Sequence, residues 1–176
     1  STIPNCVSYD PAYAYELTVI IQDGLHRMYE LGENKFYYIT TMNENYVQPA
    51  MPEGAEEGII QGMYHLRASE GTSKQRVQLM GAGTILREVE AAAEILEANY
   101  GIDADVWSLT SVNELQREGK AALRWNLLHP EDEPKVPYVT KQLQSQSGPF
   151  IAATDYMKSY TDQIREVVPG HFTVLG

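Results

Sequence analysis

Residues 36–54 read Phe-Tyr-Tyr-Ile-Thr-Thr-Met-Asn-Glu-Asn-Tyr-Val-Gln-Pro-Ala-Met-Pro-Glu-Gly. The first half is aromatic and β-branched, the composition of a strand. The second half carries Pro49, Pro52 and Gly54. Proline lacks an N–H and fixes φ, so no sheet interior continues through it. A strand that runs out into an extended joint follows. The joint divides the chain into residues 1–52, too short to be a domain, and residues 53–176, the length of most of one.

Asp10-Pro11 is a good helix start, a capping side chain followed by proline. Ala14, Leu17, Ile21, Leu25 and Met28 recur at intervals of three and four and predict one apolar helix face, ended by Gly32. A strand over 36–42 comes next. After the joint, residues 62–68 and 74–80 flank Glu70-Gly71-Thr72-Ser73 and predict a hairpin. A helix begins at Thr84, with Ile85, Val89, Ala92, Ala93 and Leu96 on one face, and stops at Gly101. Residues 104–109 read as a strand. Ser111-Val-Asn-Glu114 has the capping-box pattern, and the helix it opens runs to near Trp125. Residues 129–134 form an acidic, proline-bounded loop. Residues 136–142 and 150–153 read as strands. Thr154 caps a helix carrying Met157, Tyr160, Ile164 and Val167, and residues 171–175 form the last strand. Strands separated by single amphipathic helices imply right-handed crossovers. The expected fold is therefore α/β: a mostly parallel sheet with one antiparallel edge and helices on both faces.

At 176 residues the chain can bury roughly 70% of its unfolded surface, enough for one solid core. A net charge of −11 argues against nucleic acid, whose binding rests on Lys and Arg neutralising phosphates, and against anionic membranes. No apolar run is long enough to span a bilayer, and no basic segment precedes an apolar one in the manner of a signal peptide. Cys6 is the single cysteine, so neither an internal disulfide nor a thiolate metal cluster can form. These features are compatible with a cytoplasmic protein. The opening Ser-Thr-Ile-Pro lacks a methionine, which fits a piece of something longer.

Several stretches could carry chemistry. Gly81-Ala-Gly83 lies between a strand and a helix, where a glycine turn can cradle phosphate on free N–H groups. The dinucleotide fingerprint wants a third glycine where Leu86 stands, and a sharp turn that needs small residues explains the pair equally. Among His26, His65, His129 and His171, no two have metal-ligand spacing on a helix. His129 lies on a polar loop near Trp125, either functional or an anchor in which Trp125 packs and His129 hydrogen-bonds. Glu53, Glu56 and Glu57 could form an acid–base pair or a Mg²⁺ site, or a solvated face. Asn43, Glu44, Asn45 and Tyr46 follow a strand's C-terminal end, where open α/β sheets place ligands; a hydrogen-bonded domain joint is the alternative. The 12 tyrosines suit a large interface that is part apolar and part polar. On these grounds Asn43, Glu44, Asn45, Tyr46, Trp125 and His129 are the expected joint or interface residues, with no catalytic, cofactor-binding or metal residue.

Tyr38-Ile-Thr-Thr-Met-Asn-Glu-Asn-Tyr46 and Pro49-Ala-Met-Pro-Glu-Gly54 resemble the homodimeric, bacterial-type pyruvate dehydrogenases. So do Ser8-Tyr-Asp-Pro-Ala-Tyr-Ala-Tyr-Glu16, Ser108-Leu-Thr-Ser-Val-Asn-Glu-Leu115, Arg124-Trp-Asn-Leu-Leu-His-Pro130 and Ala153-Thr-Asp-Tyr-Met-Lys158. The resemblance covers essentially the whole chain. It implies the C-terminal domain of a transketolase-like enzyme over 53–176, truncated at its end. Residues 1–52 would be the tail of the preceding, pyrimidine-binding domain plus a linker. It also implies that the parent protein uses thiamin diphosphate and Mg²⁺ to decarboxylate pyruvate and reductively acetylate lipoyl groups. Implied partners are the remaining domains, a second subunit and the dihydrolipoyl acetyltransferase component. The family's Gly-Asp-Gly cofactor motif is absent from this sequence, and by the resemblance its activating glutamate lies upstream of Ser1. No cofactor is therefore expected on this segment, and the resemblance transfers no catalytic residue. A non-catalytic α/β interaction module and a piece of another transketolase-like enzyme are the alternative readings.

Overall fold

The computed structural model describes residues 3–176. The chain opens with β1 (Cys6–Tyr9), α1 (Ala14–Leu25) continued by a wide π turn (His26–Glu30), and β2 (Phe36–Ile39). Across the joint come α2 (Glu56–Gln61), β3 (Met63–Arg67), β4 (Arg76–Ala82), α3 (Leu86–Ile95) with its own π turn, and β5 (Asp103–Leu109). Then follow α4 (Val112–Leu128), α5 (Tyr138–Leu143), β6 (Phe150–Ala153), α6 (Lys158–Thr161) running into a 3₁₀ segment (Asp162–Val167), and β7 (Phe172–Leu175).

β1 and β2 form a separate two-stranded parallel sheet. The main sheet has the order β3-β5-β4-β6-β7. β3 is antiparallel to β5, and every other pair is parallel. The mostly parallel sheet with one antiparallel edge is thus the expected one. Trp107, Leu109, Met80 and Phe150 pack one face against α4, α5 and the 3₁₀ segment. Leu79, Val106 and Val77 pack the other against α3. β4 is the central strand, and β5 beside it is buried along all seven residues.

Four local expectations are corrected. The predicted hairpin does not form, because β5 inserts between its arms and pairs with both. The loop between the arms is instead tied to the start of β5. Ser69 N–H donates to Asp105 Oδ1 (2.8 Å) and Ser73 N–H to Asp103 Oδ2 (2.9 Å). Burial opposes ionisation of Asp105, but Arg76, the Ser69 N–H and Gln78 hold its carboxyl below the ordinary range. Residues 136–142 do not form a strand. Glu118 accepts from Tyr138 N–H (2.8 Å) at the start of α5, and the buried Val139 and Leu143 have helical spacing. The helix begun near residue 154 starts only at Lys158; Thr154 Oγ1 accepts from Tyr156 N–H (3.1 Å) in the turn before it.

The buried face of α1 is Glu16, Val19, Ile20 and Gly24, not the predicted one. Gly24 lets the Tyr37 ring close on the helix, 3.4 Å from where a Cβ would stand. Ile21 and Leu25 are left 44% and 50% exposed. β1 and α2 are additional elements. Val7, Tyr9, Ile20, Ala55, Ile59 and Tyr64 form a third core that joins the N-terminal arm to the main domain.

Backbone constraints separate two glycines. Gly148 has φ +91°, and a Cβ there would lie 1.8 Å from Arg76 O. Gly32 has φ +64° and open space around it. Gly148→Ala should lower unfolding free energy by more than about 3 kcal/mol, since backbone strain adds to a backbone collision. Gly32→Ala should cost about 1 kcal/mol. Urea unfolding followed by tryptophan fluorescence measures both.

Candidate interdomain site

The chemistry-bearing groups of the fold gather where the N-terminal arm meets the C-terminal ends of the main sheet. Glu16, in the first turn of α1, is fully buried. Its Oε2 accepts from the backbone N–H groups of Ala12 (2.5 Å) and Tyr13 (3.0 Å). Its Oε1 accepts from Tyr64 Oη on β3 and Ser108 Oγ on β5, both at 2.7 Å. Tyr15 Oη lies 2.6 Å from Tyr64 Oη and extends the chain of hydroxyls. One carboxyl therefore caps its own helix and ties it to two strands of the other unit. Burial pushes the Glu16 carboxyl up, against the opposing effect of its four donors. Burial and the neighbouring Glu16 push the Tyr64 phenol up as well, and Tyr15 is pushed up to about 12.

A second carboxylate, Asp10, stands at the end of β1. Its Oδ1 accepts from Thr40 Oγ1 (2.6 Å) and Tyr156 Oη (3.1 Å), and its Oδ2 from Tyr160 Oη (2.5 Å). Its N–H donates to Thr110 O (2.7 Å). Burial and the Asp10 charge push Tyr156 up to about 12. Ser111, which caps α4 through Glu114 N–H, donates to Ser8 O (2.6 Å). A cleft of about 790 Å³ opens beside Asp10, with Cys6 and Asn113 in its wall and the exposed Tyr38 and Met157 at its mouth.

Among the sequence candidates, Asn43, Glu44 and Asn45 are exposed on the extended joint. Glu44 pairs with Arg87 (3.3 Å), whose guanidinium lies 4.5 Å over the Tyr46 ring. Tyr46 packs edge-on against Tyr13 and donates to Ala12 O. Glu44 and Tyr46 therefore meet on the start of α3, beside Glu16's helix. Trp125 and His129 form a separate cluster at the end of α4. Their rings stack at 4.4 Å, His129 Nδ1 lies 2.8 Å from Trp125 O, and Lys135 sits over the indole. None of Asp10, Glu16, Tyr64, Ser108, Tyr156 and Tyr160 was expected at the site; Asp10, read in the sequence as the helix cap, does not cap α1, which starts at Ala14, and its carboxyl is taken by Thr40, Tyr156 and Tyr160 instead. Glu16 at the third position of a helix with a polar start was the one available signal.

The Gly81–Gly83 turn does not fit a diphosphate. Gly81 is small because a Cβ would collide with Leu86 Cα at 2.6 Å. A Cβ on Gly83 would lie 3.7 Å from Asp10 Cβ, so an acidic residue, not an anion cradle, faces the turn. Among the described residues no three His, Cys, Asp or Glu side chains gather to hold a metal, and no helix is long and apolar enough to cross a membrane.

Two family models match the chain. The Transketolase-like TK C-terminal domain covers residues 62–176, and the Pyruvate dehydrogenase E1 component middle domain covers residues 1–49. The chain belongs to the transketolase-like C-terminal domain family. Along its whole length it is similar to one member in particular, the pyruvate dehydrogenase E1 component. It is 59% identical to that of Pseudomonas aeruginosa over 100% of this chain and 20% of the relative. It is 57% identical to that of Escherichia coli K12 over 99% of this chain and again 20% of the relative. The chain thus spans about a fifth of the length of these relatives. Among solved structures, a transketolase from Pichia stipitis in complex with sedoheptulose-7-phosphate superposes with a TM-score of 0.59 at 16% identity, over 99% of this chain and 21% of that one. A split-gene transketolase described as an inactive β4 tetramer gives 0.54 at 17% identity, over 99% and 49%. At these identities the structural likeness shows the fold.

The state of Glu16 has a measurable consequence. An unfolded glutamate titrates near 4.5, and burial moves the folded group higher. The folded chain therefore takes up a proton between the two values. The stabilisation linked to it is complete below the unfolded pKa and lost as pH rises through the folded one. Wild-type stability should fall over that window relative to Glu16→Gln, an uncharged side chain whose amide oxygen can accept from the Ala12 and Tyr13 N–H groups while its NH2 donates to the Tyr64 and Ser108 hydroxyls. Glu16→Ala, which strands two hydroxyls and two N–H groups, should cost roughly 3 kcal/mol. Chemical unfolding from pH 4 to 8 measures all three; identical pH slopes for wild type and Glu16→Gln would count against a raised carboxyl.

Proposed function

We propose that this chain is the segment of a pyruvate dehydrogenase E1 polypeptide that joins its middle domain to its C-terminal domain and serves as scaffold and subunit interface. Residues 1–52 belong to the middle domain and linker, and residues 53–176 to the C-terminal domain. The parent is a thiamin-diphosphate- and Mg²⁺-dependent oxidoreductase of the cytoplasm that decarboxylates pyruvate and acetylates lipoyl groups. Its partners are its own remaining domains, a second subunit and the dihydrolipoyl acetyltransferase. The thiamin ring supplies the carbanion chemistry. In this reading the rest of the parent polypeptide holds that ring, and the isolated chain is inactive.

The observation that carries this reading is the unfinished character of the arm. Parallel sheets are normally covered on both faces, yet among the described residues β1 and β2 pair only with each other. Ile21, Leu25, Tyr29, Leu31, Phe36 and Tyr38 are all exposed on the same unit. Large apolar side chains exposed in such number on one small unit are of the kind that an interface covers. Replacing the matching segment of the Pseudomonas aeruginosa E1 component with this chain tests the reading. The chimera should keep thiamin-diphosphate-dependent pyruvate decarboxylation within about tenfold of the host, a loss of no more than ~1.4 kcal/mol. A folded chimera with no decarboxylation would overturn the assignment.

A further inference from the structure

Asp10 stands at the switch point of the main sheet. β4 and β6 are neighbours. The chain leaves β4 for α3 on one face and leaves β6 for the 3₁₀ segment on the other. Open α/β sheets take ligands in the crevice outside the carboxyl ends of such a pair. Gly83 follows β4, and a Cβ there would lie 3.7 Å from Asp10 Cβ. Tyr156 and Tyr160 follow β6 and donate to the Asp10 carboxylate. The cleft of about 790 Å³ opens from this point between the arm and the α4 and α6 regions. Its size is that of a small-molecule site, and such sites favour junctions between units.

The wall of the cleft disfavours anions and favours cations. Ser8, Asn113, Ser159 and Gln163 are neutral, Asp10 is the one charged side chain in the lining, and no Lys or Arg joins it. Among the described residues the donors to Asp10 are Thr40, Tyr156 and Tyr160, all neutral hydroxyls. A carboxylate offers about four lone-pair positions. Glu16 fills four with its donors, whereas Asp10 fills three and keeps one open on Oδ2. A buried anion without a counter-charge favours a cation beside it. Tyr38, 62% exposed, and Met157, 73% exposed, set an aromatic ring and a thioether at the mouth. The face of an aromatic ring attracts a cation as well as an apolar body.

We propose that this cleft binds a small primary ammonium compound with an apolar body. An ammonium N–H donates to the open position on Asp10 Oδ2, and the body lies against Tyr38 and Met157. The inference does not rest on the E1 reading, because every group it uses belongs to the 176-residue chain.

Three probes of matched shape and different charge test it: benzylamine, protonated at neutral pH, benzyl alcohol and benzoate. Titration of the 176-residue chain, followed by amide NMR shifts, should show saturable benzylammonium binding at Asp10, Asn113 and Ser159. Benzyl alcohol should bind at least tenfold more weakly, and benzoate not at all. Met157→Lys tethers a competing ammonium at the mouth and should weaken benzylammonium at least tenfold. Leu127→Lys adds the same charge at the far end of α4 from Asn113, about 21 Å away and beyond the screening length at physiological salt. It should change the affinity less than twofold. Asp10→Asn should bring benzylammonium and benzyl alcohol within twofold of each other, and the two lysine variants decide the matter even where Asp10→Asn does not fold. The site would be overturned by the absence of saturable shifts at the cleft, by benzoate binding as tightly as benzylammonium, or by equal weakening from both lysines. The last result would mean that the probe reads only the net charge of −11.

Discussion

The arrangement depends on a carboxyl group with no solvent around it. Glu16 would be costly to bury alone, and four donors from three separate segments converge on it. Once α1 is capped by its own glutamate, Val19 and Ile20 face Ile59 and Tyr64 across the joint, and β1 is carried onto the start of α4. Asp10 repeats the device 6 residues earlier, with hydroxyls from β2's end, from the turn before α6 and from α6 itself. Acidic acceptors on the arm meet tyrosine, serine and threonine donors. Neutral donors satisfy the carboxyl groups without adding buried charges that would need pairing of their own.

This explains how a segment that crosses two domain families can behave as one unit. The arm has two strands and one helix, fewer than an independent sheet needs. Its stability is borrowed from the third core and from the two carboxyl clasps. The apolar side chains it leaves outside are those a remaining domain would cover. The main sheet is buried at its middle, where β4 is flanked by β5 and β6 and β5 is buried along all seven residues.

Much of the main domain was legible in the sequence because its signals are local. Gly101 ends α3's helical run with φ +63°, Ser111 caps α4 through Glu114 N–H, and the Phe-Ile-Ala-Ala run forms β6. What was not legible depends on distant partners. Glu16 looks like a solvated helix residue until Tyr64 and Ser108, 48 and 92 positions away, are beside it. The hairpin reading failed because nothing local announces that β5 will come between β3 and β4. The strand reading at 136–142 failed because Glu118, 20 residues earlier, supplies the cap for α5. β1 and α2, of four and six residues, are too short for periodicity to register. Tyr46 was singled out from its place after a strand, but nothing local ties it to Tyr13 and Ala12, more than 30 positions earlier.

Native-state hydrogen exchange at the Ala12 and Tyr13 amides tests most directly whether the arm and the main domain are locked together. Both donate to Glu16 Oε2 and report the clasp itself. If the lock holds, they open with the same free energy as the slowest β5 amides, that of global unfolding. Exchange near the rate of an unstructured peptide, with β5 still protected, would mean that the arm detaches by itself and that Glu16 does not organise the joint.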